Sequence, residues 1–348
     1  MKLFKNTRAF FKDVTALIKE KDYKQVGVRV KRIFVGMKFT DGLLYKILIY
    51  SLLISLGYIY LYPVLYMITN SLMTVEDIIS PTVNWIPTKF NWQNYAIVWK
   101  NLETTIIDGQ PFIVTYPRAL LDAMYLSIVP ALSATVSSAI IGYGFARFNF
   151  PLKKLLFVLM IMTFIIPPQV TMLPTFRMYS QYNLLGSLRA FVYPAILGQG
   201  LNGAIFILIF YQFFRMIPKS LEESAQLDGA SNLQIFFRIA LPLAIPSIII
   251  VFLFSMVWYY NETYVSGLFL TSQDPFPVTL PLKTLPIRIN AFINDYVSVY
   301  PEGSFERQLM QAVKLAGNVL TLLPLLIIYF IFQRHFVESI DRTGITGE

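Results

Sequence analysis

The sequence lacks the residues from which many metal and redox sites are built. It contains no cysteine and a single histidine, His335. Without cysteine there is no disulfide framework and no thiolate metal site, and one histidine alone does not make a zinc site. The aspartates and glutamates form no catalytic pair at an obvious spacing. We therefore predict no metal site and no enzymatic activity for this chain.

A phosphate-binding loop is also missing. No G-x-x-x-x-G-K-(S/T) string occurs in the chain, and that string cradles the nucleotide phosphates in P-loop ATPases. We therefore expect the chain to bind no cofactor itself, so that ATP and magnesium would have to be held by a partner protein.

Charged residues are scarce, whereas long apolar runs are abundant. Only 14% of the residues are charged and 55% are hydrophobic, while soluble domains carry about 25% charged residues. The mean hydropathy is +0.56, which indicates that most of the chain is surrounded by lipid and not by water. At about 20 residues for each crossing, we predict an all-α membrane protein with six transmembrane helices. The predicted spans lie at 44–69, 119–146, 152–176, 190–214, 241–264 and 312–332.

The net charge of +9 is concentrated at the start of the chain. Twelve basic and four acidic residues lie within residues 1–46. A basic tail of this kind is compatible with nucleic-acid binding. We favour a basic amphipathic segment at 1–43 on the anionic inner leaflet, because apolar residues recur there at helical spacing. The positive-inside rule then predicts that both termini, including the tail at 337–348, are cytoplasmic.

Within the predicted six-span domain, 44–336, two external loops are long. They cover residues 70–118 and 265–310 and are rich in proline and aromatic residues. Loops of this length are functional or disordered, and their aromatic residues argue against disorder. We interpret them as a docking surface for an external protein.

Residues 215–240, called the polar segment below, form a short cytoplasmic interruption between two apolar runs. The pattern predicts a helix to about Leu227, a tight bend at Gly229, where glycine permits an unusual backbone, and a second helix at 231–239. We expect Leu233, Phe236, Phe237 and Ile239 to pack against the membrane domain.

The polar segment resembles the EAA coupling loop of ABC-importer permeases. The strings that support the resemblance are Glu223-Ser224-Ala225, Asp228-Gly229-Ala230 and Ile239-Ala240-Leu241-Pro242. The resemblance implies a type I importer architecture, with a cytoplasmic pair of coupling helices that docks into a cleft of the ATPase. It also implies that Glu223 makes an ionic contact, Ala225 packs closely, Asp228 ends a helix and Gly229 forms the turn.

Other strings resemble the sugar-type importers, including the smaller maltose-type permease. They are Gly144-Phe145-Ala146-Arg147, Ile217-Pro218 and Trp258-Tyr259-Tyr260-Asn261-Glu262. The resemblance implies a permease subunit of a sugar importer in the cytoplasmic membrane of a bacterium. The chain is most similar to the subgroup that moves oligosaccharides, so the implied cargo is an oligosaccharide. The implied partners are ABC ATPase subunits, a second permease and an external sugar-binding protein or lipoprotein, together with membrane lipid and no nucleic acid.

A sugar path requires aromatic faces and amides, and six residues supply both. Aromatic rings stack on the C–H faces of pyranoses, and amides or carboxylates pair with hydroxyls. The candidates are Gln169, Trp258, Tyr259, Tyr260, Asn261 and Glu262. A transmembrane Glu262 is a functional candidate by default, although the aromatic residues equally fit an interfacial belt. We also predict a broken helix at Pro167-Pro168.

Two other functions remain open at this point. The first is an ABC-importer permease for a peptide, an amino acid or another solute that is not a sugar. The second is an ion-coupled secondary transporter that works alone, which would need intramembrane charges and repeat symmetry. The spans contain few charges, and we find no internal repeat.

Overall fold

The computed structural model describes residues 43–80, 85–107, 110–270, 282–299 and 304–345. The predicted amphipathic segment therefore lies outside the described residues, apart from Leu43. The chain divides into two units, Met1–Tyr66 and Met67–Glu348.

The described helices and strands follow one another along the chain without a repeated pattern. They are α1 (Leu43–Ser71), α2 (Val75–Ile79), α3 (Gln93–Lys100), β1 (Glu103–Ile107), β2 (Gln110–Val114), α4 (Tyr116–Arg147), α5 (Lys153–Ile165), α6 (Pro168–Gln181), α7 (Arg189–Ile196), α8 (Gly203–Met216), α9 (Lys219–Leu227), α10 (Asn232–Ile235), a π-helical turn (Phe236–Ala240), α11 (Leu241–Leu243), α12 (Ile245–Asn261), α13 (Tyr264–Phe269), α14 (Leu285–Ser298) and α15 (Phe305–Ile345).

Three of these helices are long and apolar enough to cross a membrane unbroken. Their apolar stretches are Leu44–Ser71, Tyr116–Arg147 and Met310–Arg334. Helix α1 has 29 residues, which corresponds to about 43 Å at 1.5 Å per residue. The structure therefore supports a membrane protein built mainly from helices.

Three further pairs of helices reach the same length only together, because each pair bends. The bends are 98° between α5 and α6, 70° between α8 and α9, and 74° between the helix at Asn232–Leu243 and α12. The described residues thus hold three candidate spans, or up to six if each bent pair is one span.

The predicted break at Pro167-Pro168 is confirmed. Helix α5 ends at Ile165, and α6 begins at Pro168. Pro168 has no amide donor, and Pro167 has an extended backbone with a ψ angle of 133°, so an α-helical hydrogen-bond ladder cannot run through this point.

The predicted fourth span, 190–214, is not one continuous helix. Helix α7 ends at Ile196, and α8 begins only at Gly203. The connection contains Gly198 and Asn202 with positive φ angles of 75° and 55°. Such angles end a right-handed helix, and the apolar composition of the run concealed this interruption.

The all-α prediction also needs a correction, because the predicted external loop at 70–118 contains a β-hairpin. Strands β1 and β2 pair antiparallel, with Glu103 opposite Val114. The amide nitrogen of Leu102 extends the pairing by donating to the carbonyl oxygen of Val114 over 3.0 Å. Thr, Ile, Phe and Val dominate both strands, and these residue types favour a pleated conformation.

Helix α4 is the central element of the second unit. It contributes to each of the three buried apolar clusters through Ala123, Ala131 and Tyr143. Half of its apolar stretch is buried. Small residues along its surface, such as Ala134 and Ser138, allow neighbouring helices to approach closely, which is how helices pack within membranes.

Candidate functional site

The polar segment begins where α8 ends and the chain turns sharply. Pro218 precedes the first helical residue of α9 with an extended backbone, φ −58° and ψ 131°. Because Pro218 fixes φ and lacks a donor, the chain leaves α8 at Ile217 and starts a separate helix. The axes of α8 and α9 consequently differ by 70°.

Helix α9 ends in a hydrogen-bonded turn around Gly229. Asp228 is the C-cap residue of α9, and Gly229, which follows it, has a φ angle of 84°. The amide of Ala230 donates to the carbonyl of Ala225 over 2.9 Å, and the amide of Gly229 donates to that of Gln226 over 3.0 Å. These two bonds define a Schellman motif, so a specific hydrogen-bonded bend joins the two helices of the polar segment.

A capping box starts the second helix. Gln234 donates its backbone N–H to the Ser231 hydroxyl, and its side-chain oxygen accepts from the Ser231 backbone N–H over 2.8 Å. Both groups would otherwise be unpaired at the helix start. The helix continues as a π-helical turn and then as α11, where Leu241 and Pro242 occupy the first turn.

The second helix buries a different face from the one predicted. Ile235 and Phe236 are buried, and the Phe236 ring lies 4.9 Å from the ring of Tyr143. By contrast, Leu233 and Phe237 are 71% and 59% exposed. Phe236 was therefore predicted correctly, whereas Leu233 and Phe237 were not. The π-helical turn changes the residue spacing along the face, which a regular helical pattern does not anticipate.

An ion pair joins the polar segment to the end of α4. Arg147 Nε lies 2.9 Å from Glu222 Oε1, with only 6% and 13% of the two side chains exposed. Arg147 Nη2 also donates to the carbonyl oxygen of Ile217 over 2.7 Å. One arginine thus fixes both the entrance to α9 and the helix itself. In the sequence, Arg147 stands out only as the last residue of Gly144-Phe145-Ala146-Arg147, and that string does not predict its pairing.

The remaining candidate residues of the polar segment lie mostly on its surface. Glu223, Ser224, Asp228, Gly229 and Pro242 are exposed, and Ala225, Ala230 and Leu241 are half-buried. Large apolar side chains are exposed beside them, namely Leu221, Leu227, Leu233 and Phe237. A surface that combines exposed carboxylates with exposed leucine and phenylalanine is typical of a protein-interaction site.

The candidate path residues near the end of α12 fall into two groups. Trp258 and Asn261 are exposed, and the Asn261 side chain donates to the carbonyl of Val257 over 3.0 Å. Glu262 directly follows the helix, where its Oε1 accepts from the amide of Val265 over 2.7 Å. Its carboxylate therefore holds the start of α13.

The two tyrosines between these residues are buried in different clusters. Tyr259 packs beside α7, and its hydroxyl accepts from the amide of Leu201 over 3.1 Å. Tyr260 donates to the carbonyl of Thr321 in α15 over 2.9 Å. Gln169 is exposed in the first turn of α6. The structure thus distributes the six candidates over several neighbourhoods.

A second ion group, which the sequence analysis missed, lies where β1, α4 and α14 meet. Arg288 is fully buried and pairs with Glu103 and with Asp122, the latter over 3.1 Å between Nη2 and Oδ2. Lys283 also pairs with Glu103. Buried charges require partners of this kind. The carboxylates of Glu103 and Asp122 lie 185 and 166 positions from Arg288, so no local sequence pattern predicts that the three residues pair.

Comparison with known proteins identifies relatives over most of the chain. The sequence profile of the family described as "Binding-protein-dependent transport system inner membrane component" matches residues 134–342. The polygalacturonan/rhamnogalacturonan transport system permease protein YtcP of Bacillus subtilis is 29% identical, over 87% of this chain and 99% of that protein. The arabinooligosaccharides transport system permease protein AraQ of the same species is 24% identical, over 87% and 96%.

Among solved structures, one neighbour has the same overall fold. It is a chain from the crystal structure of a bacterial ABC transporter involved in the import of the acidic polysaccharide alginate. The TM-score is 0.61 at 19% sequence identity, over 84% of this chain and 96% of that chain.

Proposed function

Because the chain belongs to the family of binding-protein-dependent transport system inner membrane components, we propose that it is one permease subunit of an ATP-driven importer for sugars, in particular oligosaccharides. Members of this family are transport components of ABC importers and not enzymes. The proposed cargo rests on the relatives, whose names specify polygalacturonan, arabinooligosaccharide and diacetylchitobiose transport.

In the proposed topology, the membrane is crossed six times, by α1, by α4, by α5 with α6, by α7 with α8, by α12 and by α15. The polar segment and both termini then face the cytoplasm. The β-hairpin and the buried Arg288 that pairs with it lie on the external side. The basic residues that follow α4, such as Lys153 and Lys154, support this orientation through the positive-inside rule.

The observation that best supports coupling is the exposed, tightly braced surface of the polar segment. Arg147 ties α9 to α4, and the turn at Gly229 joins α9 to α10. A force on the surface at Glu223 would therefore reach α4 and α12 through short, hydrogen-bonded connections. This surface is the proposed docking site for the ATPase, with Glu223 as the ionic contact and Leu227 as an apolar one.

The complete importer then contains the ATPase subunits, a second permease and an external sugar-binding protein or lipoprotein. ATP and magnesium bind to the ATPase subunits, and this chain binds neither. Transport follows alternating access, with closure of the ATPases moving the polar segment.

The coupling surface is tested by the substitution Glu223→Lys in the assembled importer. We expect normal insertion but loss of ATPase binding and of ATP-driven sugar uptake, because reversing an interfacial charge costs about 2–5 kcal/mol. The measurements are co-purification of the ATPase and uptake of labelled oligosaccharides into proteoliposomes. Glu76→Lys is the matched control, since Glu76 is equally exposed but lies on α2.

The same assays discriminate between the proposed function and its alternatives. Uptake of peptides or amino acids but not of sugars would overturn the sugar assignment and leave the importer intact. Uptake that follows an ion gradient without ATP would instead favour a secondary transporter. Normal coupling by Glu223→Lys would show that the ATPase binds elsewhere.

A further inference from the structure

Two of the helix breaks in the second unit, between α5 and α6 and between α7 and α8, open onto one cavity. The cavity has a volume of about 790 Å³, within the range of about 300–1,000 Å³ that is usual for small-molecule sites. Ile166 and Pro168, at the break between α5 and α6, line one side of it. The connection between α7 and α8 lines the other side, with Gln199 and Asn202.

The interrupted backbone favours water over lipid tails as the content of the cavity. Residues 197–202 between α7 and α8 are not α-helical. Non-helical backbone at membrane depth occurs only where it is buried in protein or lines an aqueous cavity. Discontinuous helices of this kind also form substrate sites in other transporters.

The cavity provides hydrogen-bonding groups without a net charge. None of its lining residues is Lys, Arg, Asp or Glu. The C-terminal ends of α5 and α7 and the N-terminal ends of α6 and α8 all approach it. A helix carries a partial charge of about +0.5 at its N-terminal end and about −0.5 at its C-terminal end. The charges of the two N-terminal ends therefore offset those of the two C-terminal ends.

Several lining side chains are free to bind a ligand. Gln199, Asn202 and Tyr193 make no side-chain hydrogen bond within the described residues, and Gln199 and Tyr193 are exposed to the cavity. The hydroxyls of Thr171 and Thr175 donate to carbonyls of their own helix, so their oxygen atoms can still accept. Free amides of this kind are costly against hydrocarbon, which argues against an acyl chain as the occupant.

Two buried aromatic side chains support the cavity from behind. Phe191 and Tyr259 belong to its lining but are only 5% and 3% exposed, and their rings are in edge-to-face contact at 6.0 Å. The hydroxyl of Tyr259 holds the amide of Leu201, and a side chain at Gly200 would meet that hydroxyl at 2.7 Å. The loop between α7 and α8 is thus fixed against these rings, which preserves the shape of the cavity.

We propose that this cavity binds an uncharged saccharide unit of the cargo. Hydroxyl groups both donate and accept, so they match amides, threonine oxygens and opposing helix ends. The C–H faces of a sugar ring match the exposed rings of Phe164 and Tyr193, which also line the cavity. A uronate would bring a carboxylate to a cavity that offers no cationic side chain. The proposal rests on the proposed sugar transport and assigns the cargo contact of this subunit to α5–α8.

Since the natural chain has no cysteine, the variant Gln199→Cys provides a unique thiol in this subunit. In the complete importer in proteoliposomes, we expect a water-soluble maleimide to label the thiol. Saturating maltotriose, arabinotriose or diacetylchitobiose, with the cognate binding protein, should slow the labelling at least about five-fold, whereas trigalacturonate should not. Gln181→Cys is the control, because Gln181 is exposed on the same helix as Thr171 but outside the cavity; its labelling should not respond to sugar.

Absence of labelling at Gln199→Cys would show that the cavity is closed to water and would overturn the proposal. Labelling without protection, or protection by trigalacturonate alone, would overturn it as well. ATPase stimulation by the binding protein and uptake are measured in the same vesicles. If ATPase stimulation and uptake persist but sugar does not slow the labelling, the cavity assignment fails while the proposed function stands. If no sugar stimulates ATP hydrolysis or enters the vesicles, the proposed function fails.

Discussion

At the scale of single residues, Arg147 shows how one side chain connects the membrane domain to its exposed surface. It is the last residue of α4, yet it contacts both Glu222 and the carbonyl of Ile217. The pair is largely shielded from solvent, so removal of one partner leaves the other charge buried. We infer that the position of α9 depends on this contact more than on its own sequence.

The variant Arg147→Met tests this dependence. We expect it to cost about 3–5 kcal/mol, because Glu222 would lose its buried partner, and to lower the amount of sugar imported for each ATP hydrolysed. The double variant Arg147→Met with Glu222→Leu should recover part of the loss. Arg215→Met is the control, since Arg215 is exposed and contacts Tyr211 instead. Unchanged coupling in Arg147→Met would refute the role of the pair.

Asp77 gives a second prediction at this scale, for pH dependence. Burial by itself raises the pKa of the Asp77 carboxyl, but hydrogen bonds from Thr88 and Thr74 outweigh it and hold the pKa below its ordinary value. The stabilisation by Asp77 is therefore present above its unfolded pKa of about 3.9 and is lost as the pH falls through the lower folded pKa. Relative to its intrinsic exchange rate, which itself depends on pH, the amide of Thr88 should exchange several-fold faster at pH 3 than at pH 5.

The neutral variant Asp77→Asn should show that faster exchange already at pH 7. Glu76→Gln, which alters an exposed neighbour, should leave the exchange unchanged. If Asp77→Asn kept the pH dependence of the wild type, another group would be responsible for it.

At the scale of elements, Arg288 joins three of them that are far apart in the sequence. Glu103 belongs to β1, Asp122 to α4 and Arg288 to α14. A two-stranded hairpin is marginally stable by itself, so the buried arginine explains why this one is ordered against the helices.

The variant Arg288→Met should release the hairpin. It leaves two carboxylates without their buried partner, so we expect a loss of about 3–5 kcal/mol, seen as a lower melting temperature in detergent and as proteolysis near 103–114. Adding Glu103→Gln and Asp122→Asn should restore most of the stability. The control Lys283→Met should cost at most about 1 kcal/mol, because Lys283 is about one-third exposed. Equal losses in both single variants would contradict this explanation.

Elements with local signals were predictable, whereas those set by distant contacts were not. The end of α9 at Leu227 and the break at Pro167-Pro168 follow from residues at the site itself. The break between α7 and α8 was concealed within an apolar run, and the hairpin was concealed within a predicted loop. Burial of Ile235 instead of Leu233 follows from how α10 lies against the rest of the protein, which its own four residues do not encode.

At the scale of the whole molecule, composition and short strings predicted the membrane protein and its family, but not the geometry of a path. Tyr259 and Tyr260 are adjacent in the sequence, yet they pack against α7 and α15, respectively. The cavity brings together Thr171, Gln199 and Tyr259, of which only the tyrosine was a candidate. Such a grouping arises from helix packing, which no single segment encodes.

The long separation between Arg288 and its carboxylates also has a consequence for biogenesis. The ribosome completes β1 and α4 well before it reaches Arg288, since translation proceeds at about 5–20 residues per second. During this interval of many seconds, Glu103 and Asp122 have been synthesised but Arg288, with which they pair, has not. The region where β1, α4 and α14 meet is therefore completed last, so it is exposed to quality-control proteases for longer than the rest of the nascent protein.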